Sequence, residues 1–179
     1  RRASPYRMIM KKSLEHRTFD NLLDRQFSQN APLKVFCTDI TYLPYNHRMA
    51  YLSVVKDIAT GEVMSWNLSQ HIDMDIVMQT VEQMKAHPIF KTESLADILI
   101  HSDQGVHYTH PDYIDAIKGL GMVQSMSRKG NCIDNAPIES FFGHMKDELD
   151  FGQCKTFDEL YSLTEEHMQY HNNERPQSG

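Results

Sequence analysis

At 179 residues, 40% hydrophobic and 23% charged, the chain is long enough for one domain with a real core and reads as globular. No apolar run reaches the roughly 18 residues that span a bilayer, and the polar, basic start is unlike a signal peptide, so the reading is a cytoplasmic protein with no membrane part. Three widely spaced cysteines, Cys37, Cys132 and Cys154, form no CxxC pair, which excludes a disulfide-stapled scaffold.

The net charge of -6 is unevenly placed. Residues 1–17 hold Arg1, Arg2, Arg7, Lys11, Lys12 and Arg17 against Glu15, a balance of +5, which leaves -11 for the rest. An acidic body argues against a general polyanion binder. It fits nucleic acid only if cations mask some carboxylates, or if a basic partner domain lies elsewhere.

Residues 1–30 read as a basic linker or arm with a weakly amphipathic patch at Phe19, Leu22, Leu23 and Phe27, and Pro32 marks entry into the core, 31–179. Three β-type runs follow, "LKVFCTDITYL", "RMAYLSVVKDIA" and "GEVMSWNLS", with "ATG" as a tight turn between the last two. Short connections make them an antiparallel meander. "DMDIVMQTVEQMKAH" then sets Ile76, Val77, Val81 and Met84 on one helical face, with Asp73 as cap and Pro88 past the end. "ADILIHS" is continuous in its apolar residues and predicts a central strand.

Pro111 opens a helix carrying Tyr113, Ile114, Ile117 and Leu120, closed by Gly119 and Gly121. "MVQS" predicts a fifth strand and "MSRKGNCIDN" a polar loop. Pro137 begins a helix with Ile138, Phe141, Phe142, Met145 and Leu149 at helical spacing, and Thr156 with Glu159 forms a capping box ahead of Leu160, Leu163 and Met168. The order β-β-β-α-β-α-β-α-α predicts an α/β fold, a mixed five-stranded sheet with helices on both faces.

Three acids carry the chemical reading. Asp39 lies within the first strand and Asp103 at the end of the fourth. If those strands are neighbours, the two carboxylates stand side by side, and one takes up a proton unless a cation sits between them. Oxygen ligands on rigid strands suit magnesium or manganese. Glu139, in the first turn of the helix after Pro137, offers a third carboxylate, with Lys146 two turns on along the same face. Each alone has a plainer reading: a ladder residue, a turn cap, a first-turn acid favoured by the helix dipole. His101 and His107 complete no zinc spacing, no hydroxyl or thiol has a base at motif spacing, and the glycines make no phosphate-cradling loop.

The combination is more specific. Thirty-five residues separate Asp103 from Glu139. With "TDITYLP", "HSDQGVHY", "SRKGNCIDNAPIESFFGHMKDEL" and "YHNNERPQ" in that order, the chain from about residue 20 onward resembles the D,D(35)E transposases and retroviral-type integrases, above all the insertion-sequence-three group. The resemblance implies a ribonuclease-H-like fold, with Asp39, Asp103 and Glu139 as catalytic acids holding two Mg²⁺ (or Mn²⁺) ions, Asp39 bridging. It implies a bacterial, nucleoid-associated DDE polynucleotidyl transferase that nicks the 3′ ends of transposon DNA and joins them to target DNA, working as a homo-oligomer. It implies that residues 1–30 follow a DNA-binding region that is missing here. Lys146, Arg128 and Lys129 are candidate phosphate contacts, and Asn135 and Ser140 candidate DNA contacts. Two positions depart from relatives: "VFC" stands where Trp is common, and His107 where Gln is common. The alternatives are a related nuclease that cuts without joining, and a non-catalytic, domesticated DNA-binding or assembly module.

Overall fold

Aliphatic and aromatic residues that alternate along the first three runs give strands β1 (Val35–Tyr45), β2 (Arg48–Asp57) and β3 (Val63–Ser69). The computed structural model describes residues 17–173, the Cys132 side chain excepted; residues 1–16 of the basic arm and the end of "YHNNERPQ" lie outside the described residues. The β1–β2 hairpin turns on two non-glycine residues, Asn46 (φ 40°) and His47 (φ 57°). Asn tolerates the left-handed region, and its amide donates to the Lys155 carbonyl at 2.8 Å. The β2–β3 turn uses Gly61 at φ 74°, and the Asp57 carboxylate accepts from Ala59 N and Leu33 N, both at 2.9 Å.

Helix α1 (Met74–Lys85) buries Ile76, Val77, Val81 and Met84. Asp73 occupies the N-cap position, but its carboxylate makes no cap hydrogen bond; what it contributes is charge at the helix N-terminus. The fourth run pairs only over β4 (Leu99–Ser102), because Asp97 adopts φ 67° and breaks the extended backbone ahead of it. Helix α2 (Pro111–Gly119) and strand β5 (Val123–Met126) follow as expected. One 3₁₀ turn, Cys132–Asn135, lies inside the stretch that reads as polar loop, and it leads directly into α3 (Ala136–Glu148). Before α4 (Phe157–Asn173), Thr156 Oγ1 accepts from Glu159 N at 3.1 Å, and Glu159 Oε2 accepts from Lys155 N at 2.7 Å.

The sheet order is β3-β2-β1-β4-β5. β1, β2 and β3 are antiparallel neighbours, while β4 runs parallel to both β1 and β5. One face packs Leu43, Leu52 and Val54 under Ile138, Phe141 and Met145 of α3 and Leu160 of α4. The other packs Phe36, Val55 and Ile100 under α1 and α2. Helices therefore cover both faces of a mixed sheet, the ribonuclease-H-like arrangement. No helix among the described residues is long and apolar enough to cross a membrane.

Ile138 has no exposed surface and fixes α3 to the sheet. Ile138→Ala should cost about 2–5 kcal/mol through lost burial and a residual cavity, measurable as a lower urea midpoint with an unchanged slope.

Candidate active-site cleft

The parallel β1–β4 register pairs Val35 with Leu99, Phe36 with Ile100 and Cys37 with His101. Carried two residues on, the same register sets Asp39 opposite Asp103. Asp39 is not free to drift, because it also pairs with Val54 in the antiparallel ladder to β2. Asp39 is half-buried, whereas Asp103, just past the end of β4, is exposed.

Asp103 also caps its turn. Its Oδ1 accepts from Gly105 N at 2.7 Å. A Cβ on residue 105 would meet that same oxygen at 2.7 Å, so glycine is required for the carboxylate to hold this position. Glu139 comes from the first turn of α3, on the flank left open by the buried Ile138, Phe141 and Phe142.

The three acids line one open cleft of about 490 Å³ with Arg128, Lys129 and Asn135. Burial, the Asp103 charge and then the Glu139 charge push the Asp39 carboxyl up to about 7, against the lowering effect of the Ile40 N–H. Burial and Asp103 raise Glu139 as well. Among the described residues none of the three acids is ion-paired to a lysine, arginine or histidine. Nor are three His, Cys, Asp or Glu side chains drawn together there as an assembled metal-ligand set. Two carboxylates that share a site repel, and one of them is raised unless a cation neutralises the pair. The donor set is all oxygen, the chemistry that Mg²⁺ and Mn²⁺ prefer.

The other sequence candidates separate. Lys129 is exposed at the cleft rim. Arg128 lines the cleft, but its guanidinium is bonded to Asp134 through Nε and Nη2, each at 2.9 Å. Asn135 is 2% exposed, lines the cleft, and among the described residues finds no hydrogen-bond partner for either amide atom. Lys146 lies in a second groove with Arg48 and the β1–β2 hairpin, and Ser140 is exposed on α3 outside the cleft lining. His101 has no exposed surface and is committed to the hydroxyls of Ser125 at 2.8 Å and Ser127 at 3.1 Å. His107 is buried, and that burial lowers its pKa. Sequence reasoning missed Asp134. The only signal was an acid standing in a loop that also carries "SRK", one position ahead of a helix cap.

A family model described as integrase core domain matches residues 29–132, and a second model of the same description matches 120–179. The chain belongs to the integrase core family. It is 36% identical over 159 residues to an uncharacterized transposase-like protein of Haemophilus influenzae, covering 88% of this chain and 71% of that one. It is 38% identical to the putative transposase InsK for insertion sequence element IS150 of Escherichia coli, over 88% of this chain and 55% of that relative. Transposase InsF for insertion sequence IS3A of Escherichia coli is 31% identical over 75% of this chain and 45% of its own length. The chain thus spans between about half and seven-tenths of these relatives. Among solved structures, an integrase-core chain of the HTLV-2 integrase catalytic core domain in complex with magnesium superposes with TM-score 0.61 at 17% identity, over 84% of this chain and 93% of that one. A chain of the simian T-cell lymphotropic virus intasome gives 0.67 at 17% identity, over 90% and 55%. At that identity the two establish the fold, which is the ribonuclease-H-like one of integrase cores.

Proposed function

We propose that the cleft at Asp39, Asp103 and Glu139 is the active site of an insertion-sequence transposase, which nicks the 3′ ends of transposon DNA and joins them to target DNA. The observation that carries this reading is the single cleft that Asp39, Asp103 and Glu139 line together, with Asp39 and Asp103 on neighbouring parallel strands or just past them and none of the three ion-paired to a base among the described residues. Asp39, Asp103 and Glu139 would hold two Mg²⁺ or Mn²⁺ ions. Bound there, such ions supply charge neutralisation at phosphorus and an acidified nucleophile.

The chain's own residues do the rest. The β1–β2 ladder holds Asp39 and the Gly105 N–H holds Asp103, so a phosphodiester meets two carboxylates already in place. Lys129 at the rim and Lys146 along α3 offer point charges to backbone phosphates, and Arg128 offers what its bond to Asp134 leaves exposed. The Asn135 amide supplies an unspent donor and acceptor at the cleft floor, and Ser140 a hydroxyl one residue after Glu139. The first step breaks a P–O bond at the transposon end, with water as nucleophile and a free 3′-hydroxyl as product. In the second, that 3′-oxygen attacks a target phosphodiester and a target 3′-oxygen leaves. Paired transposon ends call for an assembly of several subunits, in the cytoplasm of a bacterium where the nucleoid is reached directly.

The test is incubation of the purified protein with uncut and pre-cut terminal-repeat DNA, target DNA and Mg²⁺ or Mn²⁺. Joined product is expected. Cutting without joining would leave a nuclease, and DNA binding with neither reaction would leave an assembly module.

Asn135→Ala separates chemistry from stability. The side chain caps nothing, and an unpartnered buried amide costs about 1–3 kcal/mol. The variant should therefore melt at the wild-type temperature or higher, yet join DNA about 10- to 100-fold more slowly. A lower melting temperature with normal joining would remove Asn135 from the site.

A further inference from the structure

Residues 20–25 run beside the outer edge of β5. The Asp20 carbonyl accepts from Met126 N at 3.2 Å. The Ser125 hydroxyl accepts from Leu22 N at 2.8 Å and Leu23 N at 3.2 Å, and the Leu23 side chain is buried. An edge strand otherwise leaves such groups open to foreign pairing, so this strap finishes the sheet. Arg25, at its end, donates from Nε to Asp134 Oδ1 at 2.8 Å.

Arg128 grips the same carboxylate from the other side, with its backbone N donating to Oδ2 at 3.0 Å and Nε to Oδ2 at 2.9 Å. The Asp134 side chain has no exposed surface, whereas those of Arg25 and Arg128 are 41% and 53% exposed. A carboxylate so covered stays ionised only while it is paired. Asp134 directly precedes Asn135, the N-cap residue of α3, whose own side chain makes no cap bond. The anchored carboxylate is therefore a principal side-chain tie between the cleft loop and the start of the helix that carries Glu139. The middle of that loop is open to solvent at Lys129 and Gly130 and at Ile133, which is 57% exposed.

We propose that Arg25 and Asp134 are positioning residues: the strap at 20–25 pins the loop 127–135 to the sheet edge and thereby fixes where Asn135 and Glu139 stand in the cleft. The effect on DNA joining rests on the function proposed above; the mechanical tie does not. Displacement of the chain around residue 20 reaches Asp134 through the Arg25 guanidinium.

Arg25→Ala tests this, since Asp134 keeps Arg128 and the fold is expected to persist. Hydrogen exchange of the amides in 127–139 should quicken about tenfold, the equivalent of one charge-assisted bond, while β1 and β2 exchange as before. In DNA joining, kcat should fall about tenfold with KM for DNA unchanged, and Arg25→Lys should restore most of it. Unchanged exchange in 127–139 overturns the proposal whatever the activity. So does a joining defect confined to KM, which would make Arg25 a phosphate contact, and so does faster exchange spread evenly over the whole protein, which would make it merely structural. If the wild-type protein neither cuts nor joins DNA, the proposed function fails, and the exchange measurement still decides the strap.

Discussion

Asp103→Asn is expected to reduce DNA joining by on the order of 10³-fold or more, with the fold intact. Charge stabilisation at a phosphodiester bound by metal is worth several kcal/mol, and each 1.36 kcal/mol is a factor of ten. The substitution is nearly isosteric. Its side-chain oxygen still accepts from Gly105 N, the bond that shapes the turn, so a misplaced loop would not explain the loss. It also removes a charge that raises both Asp39 and Glu139. In metal-free buffer the variant should therefore melt at or above the wild-type temperature. A stabilised but inactive protein is the signature of a site whose residues serve chemistry at the expense of the fold. Wild-type joining by Asp103→Asn would remove the acids from the mechanism. Normal cutting with failed joining would confine Asp103 to the second step.

What could be read from the chain beforehand follows from how local each signal is. Strand and helix periods are local, so the five strands and four α-helices of the described residues, and their order, were legible. The placement of Asp39 beside Asp103 was legible only as a condition, because it needs β1 and β4 to be neighbours and to run parallel. Turn details were less accessible. Asn46 and His47 take left-handed conformations without a glycine to mark them, and Asp97 shortens β4 although its neighbours Ile98, Leu99 and Ile100 read as one continuous run.

The least legible feature is the one with the longest reach. Arg25 meets Asp134 across 109 residues, and no period or spacing links them. Residues 20–25 read as arm because their own composition is polar. Their contacts with Ser125 and Met126 are made largely by backbone groups, which leave no mark in the side-chain pattern. Lys146 shows the opposite case. Helical spacing places it correctly on the flank of α3 that carries Glu139, but two turns of rise carry it into the groove beneath the β1–β2 hairpin rather than into the cleft.

Divalent cations should turn a pH liability into stability. Asp39 is raised from its ordinary 3.8 to about 7 in the fold. A carboxyl whose folded value is raised binds its proton more tightly when folded. Its contribution is thus fully present below about pH 4, is lost as pH rises, and is gone above about 7. His101 and His107, lowered by burial, act in the other direction, since they lose stability as pH falls. Comparison with Asp39→Asn cancels the histidines and isolates the acid. Metal-free wild type should fall behind that variant progressively from about pH 4 to pH 7. Mn²⁺ competes with the same proton, so its gain should be larger at pH 8 than at pH 6. At a hundredfold excess over its dissociation constant, binding adds about 2.7 kcal/mol, or a rise of about 5–10 °C for a domain of this size. Differential scanning fluorimetry across pH with and without Mn²⁺ reads both slopes. The Mn²⁺ gain should vanish in Asp39→Asn. An equal gain in that variant would place the cation somewhere other than between these acids.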